Sequence, residues 1–300
     1  MRNCWVETSE RGLGVVNKGE PAIFADSRGL IRVGGAESVQ FLNGLVTNDV
    51  AGIEEGEFVK AAFSNAKGRL QALARILRLE NSFYIETEEI TRDFVFQNLN
   101  RFTLAGDFTC EDLSPDFRFY SLFNADISKP EGTIEFGRDV FVRIENDESF
   151  RASIPEACEL SKDAFEIIRI EEGRPLYGVD VDESTVIPEM DIADLIHYKK
   201  GCYIGQEVIA RIFYLGKPAN LLRGLMFEEP FDREASGSEI LDAEGKKLGH
   251  VTSSVYSPVR NCHIGLGFVK NAFAEEGTKV FAGGAAAVIC SLPFAAECGS

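Results

Sequence analysis

The first hundred residues alternate between strand-like and helix-like spacing of their apolar side chains. Residues 22–33 set polar turn residues between apolar pairs, a pattern typical of a strand hairpin. Apolar side chains recur at helical spacing over 36–45, and the polar residues 47–49 (TND) would close this helix as caps. Alternating segments flank a turn at 65–68 and predict two antiparallel strands. A second amphipathic helix is predicted over 89–104.

The rest of the chain passes from a mixed pattern to a strand-like one. Short strand candidates separated by Gly, Pro, Asn and Asp fill 108–154, and a third helix is predicted over 161–172. Residues 174–198 form a Gly-, Pro- and Asp-rich connection, long enough to suggest a function. Short strands with glycine-rich turns occupy 220–294 and predict a separate β-barrel. The elements before this barrel follow the order of an α+β fold with mostly antiparallel sheets.

Composition limits the classes of protein to which the chain can belong. Its 300 residues, 45% of them hydrophobic, suit a globular protein of two or three domains. The net charge is −17 and no Lys/Arg-rich run occurs, so we expect no direct binding to nucleic acid. The N-terminal stretch MRNCWVETSERG lacks an apolar signal core, and no stretch approaches the roughly 18 to 20 apolar residues of a membrane helix. We therefore expect a cytoplasmic protein with no membrane partner.

The seven cysteines are odd in number, widely scattered and without a C-x-x-C pair, which indicates free thiols in a reducing compartment. Zinc and iron–sulfur centres need closely spaced thiolates or histidines, and the three histidines are isolated in the sequence. We therefore expect that this chain holds no metal.

The segment Lys199–Arg211, KKGCYIGQEVIAR, concentrates more polar chemistry than an ordinary connection. Glycines lie on both sides of Cys202, and a helix that opens at Gln206 would place this thiol just before a helix N-terminus and beside two lysines. Such surroundings favour the thiolate form of a cysteine. The segment predicts a reactive or ligand-touching thiol, with a small buried core residue as the alternative. The residues alone leave the two interpretations evenly balanced.

Glu171 lies near the C-terminus of the third predicted helix, where the helix dipole disfavours a carboxylate. A ligand with two adjacent N–H donors, such as the 2-amino-4-oxo edge of a pterin, would compensate, because a carboxylate accepts both. The alternative is a solvated glutamate paired with Arg169 or Arg174, which is more common and which the residues alone favour. Tyr177 lies near the start of the connection over 174–198. That connection is either a ligand-facing loop or a rigid connector.

The octet Lys200–Glu207, KGCYIGQE, followed by Arg211, resembles the signature of YgfZ-type folate-binding proteins, which are relatives of the glycine-cleavage T-protein (aminomethyltransferase). The resemblance covers nearly the whole chain. It includes the stretches GLIRVGGAESVQFLNGLVTNDV, RIEEGRPLYGVDVDESTVIPE and LGHVTSSVYSPVRNCHIGLGFV. The octet is specific to the YgfZ type, whereas the other stretches are shared with the T-protein.

This resemblance implies an α+β fold of three domains arranged like a clover leaf around a central tetrahydrofolate pocket. Two domains would be α+β (ferredoxin-like), and the last would be a β-barrel. We place the N-terminal folate-binding region at 1–110, the second α+β region with the octet at 111–217, and the barrel at 218–300.

The resemblance also assigns candidate residues. The R-x-E-x-G motif of the T-protein puts its pterin-binding glutamate at Glu171. Of the two aromatic positions that help to hold folate in YgfZ-type relatives, Phe165 keeps the pattern and Arg28 departs from it. Cys202 is the residue that the octet adds relative to the T-protein, and we expect it to face Glu171. The predicted folate-contacting set is completed by Tyr177, Lys200 and Arg211.

One departure from the T-protein argues against its reaction. The T-protein carries acidic residues after the glycine of its first-domain hairpin, and one of them acts on the folate nitrogen. Here Lys67–Ala72 contains no carboxylate, and Gln71 cannot exchange a proton near neutral pH. The resemblance then implies a tetrahydrofolate-binding accessory protein that supports assembly or repair of iron–sulfur clusters in client proteins, including tRNA-modifying enzymes. The alternatives are a folate-dependent aminomethyltransferase or other one-carbon transferase, and a folate-responsive scaffold without chemistry.

Overall fold

The computed structural model describes residues 12–104, 106–125, 129–154 and 157–295. The chain forms two compact units. Unit 1 comprises residues 1–162 and 193–208, and unit 2 comprises residues 163–192 and 209–300. Residues 1–11 of the N-terminal stretch MRNCWVETSERG, which include Cys4, lie outside the described residues, as does Cys298.

Unit 1 contains ten strands and three helices among its described residues, after an initial helical stretch at 12–17. The strands are β1 (Ala22–Asp26), β2 (Arg28–Gly34), β3 (Phe58–Ser64), β4 (Leu70–Leu79), β5 (Ser82–Glu88), β6 (Thr109–Asp112), β7 (Phe117–Phe123), β8 (Ile134–Phe136), β9 (Asp139–Arg143) and β10 (Cys158–Glu159). The helices are α1 (Ser38–Leu45), α2 (Glu89–Asn100) and α3 (Asp147–Ala152). A 3₁₀ turn, Arg101–Leu104, continues α2.

The strands of unit 1 form two five-stranded sheets. The first has the order β3-β4-β5-β2-β6 and is antiparallel throughout. The second has the order β10-β1-β7-β9-β8, with β1 and β10 as its parallel pair. Because side chains alternate between the faces of a strand, β4 sends Ile76 to the core shared with α1 and α2, and Leu77 to the core shared with the second sheet. The first sheet is therefore buried on both faces.

The hairpin predicted over 22–33 is wrong. Both strands exist, but β1 pairs with β7 and β10, whereas β2 pairs with β5 and β6. The chain changes sheets between Asp26 and Arg28. Strand periodicity reports which face of a strand is buried and does not identify its hydrogen-bonded neighbour. By contrast, the turn at 65–68 joins β3 and β4 as predicted, with Gly68 at φ +69°.

A buried ion cluster joins the two sheets. Glu86 on β5 accepts from Arg28 Nε at 2.6 Å and from Arg75 Nε at 2.8 Å. Arg75 Nη1 reaches Asp139 Oδ2 of the second sheet at 2.7 Å, and the hydroxyl of Ser121 donates to Asp139 Oδ1 at 2.6 Å. Burial would raise the pKa of Glu86, but the two guanidinium groups overcome it and lower that pKa to about 2. The cluster fixes the register of one sheet over the other.

Unit 2 contains helices, a long connection and a closed barrel. Helix α4 (Lys162–Glu171) leads into the connection, which includes the 3₁₀ turn Ile187–Met190. The later helices are α5 (Gln206–Leu215) and the short α6 (Arg233–Ser236). The barrel has the order β11-β14-β13-β12-β15-β16. Its strands are β11 (Asn220–Phe227), β12 (Glu239–Leu241), β13 (Lys247–Ser257), β14 (Cys262–Lys270), β15 (Lys279–Ala282) and β16 (Ala285–Cys290).

The α+β class and the C-terminal barrel are confirmed. The third predicted helix, over 161–172, corresponds to α4. The barrel closes around an apolar interior that includes Leu225, Ile240, Val251 and Ile289. In the part of the chain that the structure describes, no helix is both long and apolar enough to cross a membrane.

Replacing Glu86 tests the ion cluster. Glu86→Gln removes the carboxylate that Arg28 and Arg75 share and leaves Asp139 as the acid paired with Arg75, so the free energy of unfolding should fall by about 3 kcal/mol at pH 7. Because the folded-state pKa is depressed, the contribution of Glu86 is complete above the unfolded pKa of about 4.3 and is lost as the pH falls towards 2. Urea unfolding between pH 2 and 7 measures both effects.

The matched control is Glu111→Gln, which removes the exposed ion pair with Arg32. It should change the free energy of unfolding by less than about 1 kcal/mol. Equal losses for the two variants would contradict a dominant role for the buried cluster.

Candidate functional site

Lys200 anchors the octet to the segment that follows α1. Its ammonium group donates to the carbonyl of Val46 at 2.8 Å and to the carbonyl of Asn48, and it lies 5.3 Å from the ring centroid of Tyr203. Burial lowers the pKa of Lys200 to about 8, against an opposing contribution from Asp49. A neutral amine still carries two N–H donors, so both hydrogen bonds survive deprotonation. The contacts of Lys200 are therefore structural, and its predicted contact with folate stays a prediction.

The second half of the octet is attached to the β3–β4 turn. The hydroxyl of Ser64 donates to the carbonyl oxygen of Ile204. The backbone N–H of Ile204 donates to the carbonyl oxygen of Gly44 at 3.2 Å. Gly205 has φ +83°, and a Cβ atom there would lie 2.5 Å from the carbonyl oxygen of Asn65. Glycines lie on both sides of Cys202 in the octet. At Gly205 the close approach is to the protein's own turn.

Thr47 and Asn48 do not cap α1 as predicted, whereas Asp49 accepts from the side chain of Asn43 in α1 at 3.2 Å. The hydroxyl of Thr47 donates to Leu195 O at 2.7 Å, and Asn48 Nδ2 donates to Asp194 O at 2.6 Å. The backbone N–H of His197 in turn donates to Thr47 O at 3.0 Å. Thr47 and Asn48 thus find hydrogen-bond partners in the segment that leads into the octet. They position the octet rather than end a helix.

Cys202 is exposed in this anchored segment. Its neighbour Tyr203 is buried, and burial raises the pKa of that phenol to about 12. Helix α5 begins at Gln206, as predicted, four residues after the cysteine. The alternative of a buried core thiol is excluded, because Cys202 is open to solvent while the residues around it hold the backbone in place.

In unit 2, Glu171 is the last residue of α4 and is half-buried. The hydroxyl of Ser257, which is fully buried at the end of β13, donates to Glu171 Oε1 at 2.5 Å. This hydrogen bond offsets the unfavourable placement of a carboxylate at a helix C-terminus. Among the described residues Glu171 forms no ion pair, so its second oxygen is left for another donor.

The two arginines considered as partners of Glu171 are directed elsewhere. Arg169 reaches Glu166 Oε1 at 2.5 Å and Asp180 Oδ2 at 2.7 Å, and Arg174 Nη1 lies 3.4 Å from Glu172 Oε2. The interpretation of Glu171 as an ordinary surface ion pair is therefore wrong.

Arg169 and Asp180 form a buried network with the barrel. Arg169 Nη2 donates to Ser253 Oγ at 3.0 Å, and Asp180 Oδ1 accepts from Ser253 at 2.7 Å and from Thr252 at 2.5 Å. Asp180 Oδ2 also accepts from the N–H of Leu176 at 3.0 Å. This network ties α4, the following connection and β13 together, and so positions Glu171 at Ser257.

The other predicted folate contacts lie in different places. Phe165 is half-buried on α4, with the Arg174 guanidinium carbon 5.9 Å from its ring centroid. Tyr177 is half-buried and forms a β-bridge with Val181. Arg211 is exposed on α5. Arg28 belongs to the buried ion cluster of unit 1, where Glu86 occupies its guanidinium group. A folate contact for each of the four residues stays a prediction.

The position that carries a carboxylate in the T-protein is neutral here. Gln71 Nε2 donates to the carbonyl of Leu70 at 2.8 Å, and Ala72 is fully buried. Neither side chain can exchange a proton near neutral pH.

Sequence reasoning missed Ser257, Ser253 and Thr252 as partners of the Glu171 region. A weak signal was present, because four serine and threonine residues lie in the strand KLGHVTSSVYS. Their partners lie 72 to 86 residues away along the chain, a separation that local patterns do not encode.

Comparisons with known proteins agree with this architecture. Residues 221–295 match the family model of the glycine cleavage T-protein C-terminal barrel domain. A putative chloroplastic transferase of Arabidopsis thaliana is 23% identical over 97% of this chain and 75% of its own length. The mitochondrial aminomethyltransferase of Flaveria trinervia is 28% identical over 82% of this chain and 71% of its own length. The tRNA-modifying protein YgfZ of Colwellia psychrerythraea is 23% identical, with 79% and 81% covered.

A solved structure shares the fold. The glycine cleavage system aminomethyltransferase T from Bartonella henselae matches with a TM-score of 0.82 at 20% identity. The match covers 94% of this chain and 90% of that chain.

The anchoring of the octet is tested with its two glycines. Gly205→Ala should lower the free energy of unfolding by about 3 kcal/mol, because a Cβ at positive φ would meet the backbone of the turn. In Gly201→Ala the new Cβ meets nothing within 4 Å, and the change should stay below about 0.5 kcal/mol. Urea denaturation of both variants gives the comparison. Equal stability of the two would contradict the close approach at Gly205.

Proposed function

Because the chain is a YgfZ-type member of the glycine-cleavage T-protein superfamily, we propose that it binds a tetrahydrofolate and supports assembly or repair of iron–sulfur clusters in other proteins. The clusters are cargo of the client or assembly proteins and are not held by this chain. The proposal includes a cytoplasmic location and an indirect link to tRNA modification through clients that carry such clusters.

The folate proposal rests on the hydrogen bonding of the Glu171 carboxylate. One oxygen of its carboxylate is fixed by Ser257, and Arg169 and Arg174 are engaged with other acids. A carboxylate held in this way accepts two parallel N–H donors, which a 2-amino-4-oxo pyrimidine edge presents. Phe165, six residues earlier on α4, supplies an aromatic surface for a flat ring. Both residues belong to one helix, whose orientation the Arg169–Asp180 network fixes.

The tetrahydrofolate itself would supply one-carbon chemistry at its nitrogens when bound. This chain's own contribution at Gln71 is limited to hydrogen bonding, because that side chain does not ionise. A one-carbon transfer that needs proton exchange at this position, as in an aminomethyltransferase, is therefore the second candidate. A turnover assay for methylene-tetrahydrofolate separates the two functions, since a cluster-maintenance factor should show no turnover.

We assign the thiol of Cys202 to the support of iron–sulfur clusters in client proteins. Lys200 holds the backbone on one side of Cys202 at Val46, and Gly205 holds it on the other side at the β3–β4 turn. The position of the thiol is therefore defined while its sulfur stays accessible. In this position it is suited to contact a sulfur or one-carbon species.

Folate binding is tested by calorimetric titration with tetrahydrofolate under reducing, oxygen-free conditions. Glu171→Gln removes the charge and one acceptor, so the affinity should fall at least about tenfold. Glu172→Gln makes the same change at the next residue, which pairs with Arg174, and should bind like the parent. No heat of binding to the parent chain would overturn the folate proposal, and equal affinities of the two variants would remove Glu171 from it.

The thiol role is tested by complementation of a strain that lacks the endogenous protein. Cys202→Ser should reduce the activity of a resident iron–sulfur enzyme to the level of the deletion strain. Cys158→Ser changes a partly buried thiol at β10 and should restore activity fully. Full restoration by Cys202→Ser would show that the thiol is dispensable and would leave a folate-responsive scaffold.

A further inference from the structure

Unit 2 contains a cavity of about 370 Å³ between the connection that follows α4 and strand β13 of the barrel. This volume lies in the range of roughly 300 to 1,000 Å³ that small-molecule sites occupy. Neither Glu171 nor Cys202, which carry the proposed function, lines it. The ionisable side chains of its wall include Asp182, Glu189, Arg233 and His250.

Two carboxylates of the wall are each held through one oxygen. Asp182 Oδ1 accepts from the N–H of Ser184 at 2.8 Å and from its hydroxyl at 2.6 Å. Glu189 Oε1 accepts from the N–H of Asn220 at 3.1 Å and from its Nδ2 at 3.0 Å. Within the described residues, nothing donates to Asp182 Oδ2 or to Glu189 Oε2. These two oxygens are therefore available to a cationic donor.

Arg233 supplies the opposite charge. Its Nη1 donates to the carbonyl oxygen of Thr252 at 2.6 Å, which holds the guanidinium group against β13. The remaining N–H groups of Arg233 find no acceptor in the part of the chain that the structure describes, and a guanidinium group has five such donors. Asp180 also lines the cavity, but its charge is paired with Arg169. Arg233 is therefore available to an anion.

The two kinds of charge lie at different points along β13. Burial and Lys247 lower the pKa of His250, and the nearby Asp182 opposes this effect. Asp182 thus lies by His250, whereas Arg233 is bonded at Thr252, two residues further along the strand. Two residues of a strand span about 7 Å. An α-amino acid can bridge such a span, because a hydrogen bond of about 2.9 Å at each end adds to the short distance between its own two charged groups.

The wall also offers surface for a side chain. The rings of His250 and Phe268 are stacked, with their centroids 5.9 Å apart and an angle of 25° between their planes. The lowered pKa of His250 leaves its ring uncharged at pH 7. Val179, which lines the same cavity, is 48% exposed. These groups can cover a small side chain without adding charge.

We propose that this cavity binds a free α-amino acid as its zwitterion. The ammonium group contacts Asp182 and Glu189, and the carboxylate contacts Arg233. The side chain lies against His250 and Val179. Because the wall presents both signs of charge, it favours a ligand with both charged groups over a simple anion or a simple cation. The site goes beyond the proposed function, which concerns a folate and iron–sulfur clusters.

The first test is a thermal-shift screen of the full chain with each of the common L-amino acids, at least one of which should raise the melting temperature. The best ligand is then compared by calorimetry with its methyl ester, which lacks the carboxylate, and with its N-acetyl derivative, which lacks the ammonium group. Each derivative should bind at least about tenfold more weakly than the amino acid. The proposal is overturned if no amino acid raises the melting temperature, or if either derivative binds as tightly.

Variants locate the site. Asp182→Asn keeps the oxygen that Ser184 needs and removes the charge, so the affinity for the amino acid should fall about tenfold. The matched control is Asp242→Asn, because Asp242 Oδ1 likewise accepts from the N–H two residues later, that of Glu244, at 3.1 Å, in a turn outside the cavity. It should bind like the parent. Arg233→Gln should weaken binding as much as Asp182→Asn, and circular dichroism checks that these variants fold. Equal affinities of the Asp182 and Asp242 variants would place the ligand elsewhere and refute the proposal.

The two sites can fail separately. Asp182→Asn should retain tetrahydrofolate binding, and Glu171→Gln should retain binding of the amino acid. Loss of amino-acid binding in Glu171→Gln would contradict a site in this cavity, whatever the outcome of the folate titration.

Discussion

The packing of the two sheets of unit 1 depends on the ion pairs of the Glu86 carboxylate. It is 2% exposed and lies between two guanidinium groups, one of which continues to Asp139 on the facing sheet. Apolar packing between two sheets tolerates sliding, whereas a buried charge must meet its partner or lose most of its solvation. The cluster therefore fixes how the sheets stack. Strand β4, which carries Arg75, begins directly after the turn to which the octet is attached.

The octet combines two kinds of residue that a motif does not distinguish. Lys200 and Gly205 hold the segment against unit 1 through carbonyl groups and a close backbone approach. Cys202, between them, faces solvent. The backbone around Cys202 is already ordered in the folded protein, because its conformational entropy is lost on folding. Little further entropy is therefore lost when the thiol meets a binding partner. Unit 2 uses the same arrangement at Glu171, where buried charges fix the helix and leave a carboxylate oxygen available.

Local patterns predicted what depends on neighbours in sequence. The helix opening at Gln206, the turn at 65–68 and the barrel strands follow from spacing and turn residues. Pairing of β1 and β2 was mispredicted because both partners of each strand are distant in sequence and the burial pattern fits either choice. The role of Asn48 was missed for a similar reason, since an amide side chain bonds whichever carbonyl the fold brings near it. Arg28 entered the predicted folate set by position in the family, and only its burial beside Glu86 reveals its structural role.

The hydrogen bonds of Lys200 end on main-chain carbonyls, which every amino acid possesses. The side chain at position 46 can therefore vary without removing its bond, whereas a change of the lysine removes both. Within KGCYIGQE, Lys200 therefore has an architectural role that is separate from any chemistry of Cys202.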